Sequence, residues 1–404
     1  MLLSQIRLGA TYSTPAPRSR LAKPIPVPSR LKSGGRHFEL RAASFLLDWF
    51  SGGSMRAWIC FFAVVIFVAP WNAQQAWAQQ RIIYDDDCSN DVDCVATLPI
   101  LYQFADRGEI RILAMVADSA NPLSAPVLRI FANYAGHPQT PIGANLTDEP
   151  ANALCVKNRC NQSKWTEELV QRFDSGDTRT HYPDCVAVYR KALADQPKHS
   201  VSIVETGFAT CLVRLLASPP DTTSRLSGAA LVKRTVKLLS VMGGRYPTGI
   251  EWNFQCDASG FNALFSKWTR QNGFPPVYLN GFANGEHVLA GAPAAASSTT
   301  NPTFYGMQLE GTAQRPMWDM LSALFAVRGV SYAGTNYFKV SRPGTVAVDA
   351  ETGADTWSDA NDSGHYVLTN ASPDETFSAL FDGYTHATGF LANTGFAGND
   401  SPQE

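Results

Sequence analysis

Short, nearly unbroken apolar runs alternate along this chain with longer segments whose apolar residues recur every three or four positions. The runs at 82–84, 110–116, 201–204, 235–242 and 276–279 suit strands buried on both faces of a parallel sheet. Helical spacing marks residues 95–104, 126–134, 185–194, 208–217, 258–268 and 318–327, with a last helix before residue 389. Shorter strand signals lie at 141–143, 345–348 and 365–368. Residues 145–184 are polar and read as an insertion near the site. Strands alternating with helices predict a single α/β domain over 79–404, with a mostly parallel central sheet flanked by helices. Ligands bind such sheets beyond the carboxyl ends of the strands. Residues 85–93, Asn121, Thr206 and residues 242–244 all fall at such ends.

The N-terminal part has a different character. Residues 58–69 are uncharged and apolar, follow Arg56, and precede the small-x-small triplet Ala76-Trp77-Ala78. That is the pattern of a secretory signal over 55–78, too short for a spanning helix, and it predicts export to a periplasm or the medium. Residues 1–54 are rich in Pro, Ser and Arg and read as disordered, or as sequence upstream of a true start at Met55. Residues 1–78 hold nine Lys/Arg against two Asp/Glu, so the remainder carries 24 basic and 33 acidic side chains, a balance of −9. That sign argues against a nucleic-acid partner. No stable membrane span is expected once the signal is removed.

Export permits disulfides. Seven cysteines remain after Cys60 leaves with the signal, so at least one thiol stays free or pairs between chains. Cys155 and Cys160 form the best local pair, with Cys185, Cys211 and Cys256 left to pair elsewhere. His137, before a proline, and His287 read as structural or exposed. Asn145-Leu-Thr and Asn361-Asp-Ser are sequons.

The densest chemistry is at residues 85–93, where Asp85, Asp86, Asp87, Asp91 and Asp93 crowd between two apolar runs. Like charges at a strand end repel unless a cation sits between them, and a hard divalent ion with oxygen ligands is the natural neutraliser. An EF-hand loop is a poor fit, because Asn90 stands at its glycine position and Ala96 at its glutamate position. A D-x-D phosphatase needs a downstream lysine and acidic pair that cannot be placed. A solvated acidic turn fits poorly with apolar flanks on both sides.

The cluster resembles the N-terminal signature of the inosine–uridine nucleoside hydrolase family in its longer form, D-T-D-M-G-N-D-V-D-D-A-L-A-L. Asp85, Asp87, Asn90, Asp91, Val92, Asp93 and Leu98 match it. Asp86, Cys88, Ser89 and Cys94 depart from it, with Cys94 standing where the final Asp is expected. Shorter resemblances follow in the family's order: Asp118-Ser-Ala-Asn121, Glu205-Thr-Gly-Phe208, Val241-Met-Gly-Gly244, Glu251-Trp-Asn253 and Trp318-Asp319. The resemblance implies a nucleoside hydrolase-like, Rossmann-like core and a bound Ca2+. It implies metal ligation by Asp87, by Asp91 or Asp93, by the Thr206 carbonyl and by Asp319. The other of Asp91 and Asp93 would be the catalytic base, with Asp93 favoured as ligand and Asp91 as base. Asn121, Met242, Glu251, Trp252 and Asn253 would bind the sugar, and Trp318 would stack on the base in place of the family's acid-bearing histidine.

Two readings follow. One is an exported calcium-dependent hydrolase that cleaves the N-glycosidic bond of ribonucleosides, or of a related ribosyl N-glycoside, to free base and ribose. The other, motivated by Cys94 and Trp318, is a non-catalytic calcium-containing protein of the same fold that captures nucleosides or sugars. Either takes a small molecule as partner, with a second copy of the chain as a further candidate.

Overall fold

The structure is a computed structural model and describes residues 79–89, 91–173, 178–291 and 300–385. The expected signal at 55–78, the segment 1–54 and Asn90 lie outside these residues. Eight strands form the main sheet: β1 (Gln80–Asp86), β2 (Ile110–Ala117), β3 (Ile142–Ala144), β4 (Val201–Glu205), β5 (Val236–Met242), β6 (Val277–Asn280), β7 (Phe338–Val340) and β8 (His365–Asn370). Their order is β7-β8-β6-β5-β4-β1-β2-β3. All neighbours are parallel except β7 against β8. The predicted α/β class and mostly parallel sheet are therefore observed.

The sheet has an apolar core on each face, and β1 shows how the sequence builds both. Ile82 and Tyr84 enter one core and Ile83 the other, all fully buried, as a strand's period of two requires. On the first face pack α1 (Cys94–Asp106) and α2 (Ser124–Tyr134). The opposite face receives α3 (Cys185–Ala194) and α4 (Thr210–Ala217). The short α5 (Trp252–Cys256) leads into α6 (Ala258–Lys267), which joins that second core; α7 (Trp318–Arg328) and α8 (Asp374–Thr385) return to the first. Pro99 lies inside α1 and cannot donate to the Val95 carbonyl. The Thr303 hydroxyl donates to that carbonyl instead, at 2.9 Å, so the helix runs on with its acceptor satisfied.

Several expectations are corrected. Among the described residues of 145–184 are two α-helices, Ala153–Asn158 and Lys164–Phe173, and a 3-10 turn at Arg179–His181; the second α-helix buries Trp165, Leu169, Val170 and Phe173. Its apolar face follows helical spacing, which the polar average of the stretch conceals. The pairing of Cys155 with Cys160 does not form. Disulfides join Cys88–Cys94, Cys160–Cys256 and Cys185–Cys211, and Cys155 stays a buried thiol. Arg159, in the left-handed region at φ 59°, turns the chain between the two residues. The Cys155 thiol then points back to the Pro150 carbonyl at 3.1 Å, while Cys160 faces Cys256. Asn145 is no glycan acceptor: it is fully buried and donates to the Asp118 and Glu149 carbonyls. His137 pairs with Asp106 at 2.8 Å, and His287 is exposed. The strand at 345–348 belongs to a separate antiparallel sheet of Thr345–Val348, Ala354–Ser358 and Thr248–Ile250. Among the described residues, no helix is long and apolar enough to cross a membrane.

Candidate metal and substrate site

Beyond the carboxyl ends of β1, β4 and β5 lies a cavity of about 310 Å³. Its wall is assembled from residues far apart in sequence: Asp87, Asp91 and Asp93 between β1 and α1, Thr206 after β4, and Met242 at the end of β5. The first residues of α5 add Glu251, Trp252 and Asn253, and the start of α7 adds Trp318 and Asp319. Of the residues read from sequence as a site, only Asn121 does not line it. Asn121 is buried and its Oδ1 accepts from the Leu123 N–H at 2.9 Å, closing the turn after β2.

Hydrogen bonds fix this wall. The first-turn N–H of Asp319 donates to Asp93 Oδ2 at 3.2 Å, where the positive end of α7 favours a carboxylate. The N–H of Asp93 donates to Asp91 Oδ1 at 3.1 Å. The N–H of Thr206 donates to the Asp85 carbonyl at 2.9 Å, carrying the β1–β4 ladder one step past the strands. The Thr206 carbonyl accepts from Asn253 Nδ2 at 3.1 Å. Glu251 caps α5 by accepting from the N–H groups of Asn253 and Phe254, and it also accepts from that of Gly244, at 3.0 to 3.2 Å. Burial pushes Glu251 up to about 7 against these three bonds.

Asp87, Asp93 and Asp319 are all buried. Loss of solvent raises each carboxyl well above its usual range, and repulsion from neighbouring carboxylates, Asp86 foremost for Asp87, Asp91 for Asp93 and Asp93 for Asp319, adds to the rise. Beside this group Arg315 donates to both oxygens of the neighbouring Asp91, at 2.9 and 2.6 Å. Asp87, Asp93, Asp319 and Thr206 thus bring oxygen donors and an excess of carboxyl groups to one cavity, while among the described residues the three carboxyl groups whose oxygens lie within 4.8 Å of one another are Asp85, Asp118 and Glu205. That chemistry fits a hard divalent cation such as Ca2+. Behind this wall Asp85, Asp118 and Glu205 are also buried, and burial raises all three. The Tyr189 hydroxyl holds Asp85 at 2.5 Å.

Three wall residues had no marker in the sequence: Arg315, Phe282 and Glu310. Arg315 lies 5.9 Å from the Trp318 ring, and Trp318 Nε1 donates to the Phe282 carbonyl at 2.9 Å. Trp318 and Phe282, with rings 5.0 Å apart, make one aromatic wall, and half-exposed Trp252 stands at the rim. The departures at Cys88 and Cys94 resolve into one feature, the disulfide that joins them.

No protein-family model and no curated protein matches the chain. Solved structures do. A plant nucleoside hydrolase, the PpNRh1 enzyme, matches with TM-score 0.52 and 11% identity, over 76% of this chain and 99% of that one. The effector protein XOO4466 matches with TM-score 0.56 and 15% identity, over 76% and 94%. The type III effector protein XopQ, solved in complex with adenosine diphosphate ribose, matches with TM-score 0.57 and 15% identity, over 77% and 94%. At such identities the likeness speaks for architecture alone, and the chain has the nucleoside hydrolase fold.

Proposed function

We propose that this protein is an exported, calcium-dependent hydrolase that cleaves the N-glycosidic bond of ribonucleosides or of a related ribosyl N-glycoside. The observation that carries the reading is the convergence of Asp87, Asp93, Asp319 and the Thr206 carbonyl beside Glu251 and Asn253 in one cavity. Asp87, Asp93, Asp319 and the Thr206 carbonyl would hold a divalent cation, which would supply Lewis acidity toward water and sugar hydroxyls. Glu251 and Asn253, fixed by the start of α5, face the same cavity and orient ribose hydroxyls. Asp91 is the base that takes the proton of the attacking water, on the lone pair of Oδ2 that Arg315 does not use. Trp318 and Phe282 offer the leaving base an aromatic face. Three disulfides accord with folding in an oxidising, non-cytoplasmic setting, which supports export.

One observation favours a second reading, capture of a nucleoside or ribose without turnover. Both oxygens of Asp91 accept from Arg315, and the Trp318 indole N–H, which donates to the Phe282 carbonyl, is too weak an acid to protonate a leaving group. A reducing-sugar assay on a panel of nucleosides with added Ca2+ separates the two. Ribose release that disappears in Asp319→Asn supports the hydrolase. Ribose or nucleoside binding with no release supports capture, and neither binding nor release refutes both.

A further inference from the structure

Asp91 and Asp93 both ride on the turn between β1 and α1, so the placement of two cavity carboxylates depends on one short segment. The turn is closed by the Cys88–Cys94 disulfide, whose Cα atoms are 5.6 Å apart. Both half-cystines are buried, at 0% and 1% exposure. Cys94 is the first residue of α1, and Cys88 lies two residues past the end of β1, so the bond ties strand end to helix start. The charges on this turn work against that placement. Asp91 and Asp87 repel Asp93 and one another, and opening the turn would separate them. A covalent closure removes the open conformations before any cation arrives. The two other disulfides lie elsewhere: Cys185–Cys211 joins α3 to α4 in the opposite core, and Cys160–Cys256 pins the 145–184 segment to the end of α5.

We propose that the Cys88–Cys94 disulfide is a positioning device for the cation site, so that tight divalent binding requires this pair to be oxidised. The inference rests on the cation site of the functional reading. Forming the bond transfers two electrons and two protons from the two thiols to a small-molecule disulfide, which leaves as two thiols. The folded chain then meets its cation with Asp93 already set against Asp319. A chain folded under reducing conditions must order the turn at the moment of binding and binds less tightly.

Calorimetric titration with Ca2+ tests this on wild type, Cys88→Ser/Cys94→Ser, Cys88→Ala/Cys94→Ala and the control Cys185→Ala/Cys211→Ala. Both variants of the first pair are expected to weaken Ca2+ binding about tenfold or more while keeping native circular dichroism. The control is expected to melt earlier yet bind within about twofold of wild type. Wild-type affinity in the variants of the first pair overturns the proposal, and so does a failure of both to reach native circular dichroism. Wild type that takes up no divalent cation overturns the functional reading together with this inference. Binding by wild type and variants alike overturns the inference alone.

Discussion

Both oxygens of Asp91 accept from the Arg315 guanidinium and Oδ1 also accepts from the Asp93 N–H, which leaves Oδ2 the oxygen with a lone pair to spare for a proton. The pair is about one-third exposed on each side, so it adds little to folding. Arg315→Met should therefore change the free energy of urea unfolding by less than about 1 kcal/mol. Asp91→Asn should lower kcat for ribose release by about a hundredfold or more while leaving calorimetric affinity for a nucleoside nearly unchanged. An equal loss of affinity would make Asp91 a binding residue. At this scale the aspartates were legible because five charges between apolar runs are an electrostatic anomaly. Arg315 was not: it belongs to a three-residue strand, Gln314–Pro316, with no periodicity to mark it, and its partner lies 224 positions away. Cys88 and Cys94 looked like losses from a motif because spacing alone does not reveal which thiols meet.

The turns after the strands carry the site, and two can be tested as units. Gly207 follows Thr206 where the chain leaves β4. A Cβ there would stand 2.3 Å from the Asp87 nitrogen and 2.5 Å from Asp118 Oδ2. Gly207→Ala should cost about 2 kcal/mol or more in urea unfolding and displace Asp87. Around α5, burial pushes Glu251 and the α6 cap Asp257 each up to about 7. Both bind protons more tightly folded than unfolded, so their contribution is full below the ordinary carboxylate range and lost as pH rises through about 7. The melting temperature in EDTA should fall over that window, and Asp257→Asn should flatten the fall. An unchanged profile in that variant would contradict the assignment. Strands and helices of the main sheet were readable because burial on both faces writes continuous apolar runs. The 145–184 helices were missed because a narrow apolar stripe on a polar helix lowers no average.

For the whole molecule, the order of strands and helices foretold the parallel sheet, and the sheet in turn gathered Asp87, Thr206, Met242 and Asp319 at its carboxyl edge. The sequence order of those residues was readable; their meeting in one cavity depended on crossover helices that set strand order. The antiparallel sheet of Thr248–Ile250, Thr345–Val348 and Ala354–Ser358 was only partly visible, since Ala354–Ser358 is mostly polar. The central claim is that three carboxylates and one carbonyl hold a divalent cation. Its most direct test is an anomalous-difference map from crystals equilibrated with Ca2+. The predicted result is a peak within roughly 2.6 Å of oxygens from Asp87, Asp93, Asp319 and the Thr206 carbonyl. Absence of any peak among these four residues, with Ca2+ bound elsewhere or not at all, would contradict it.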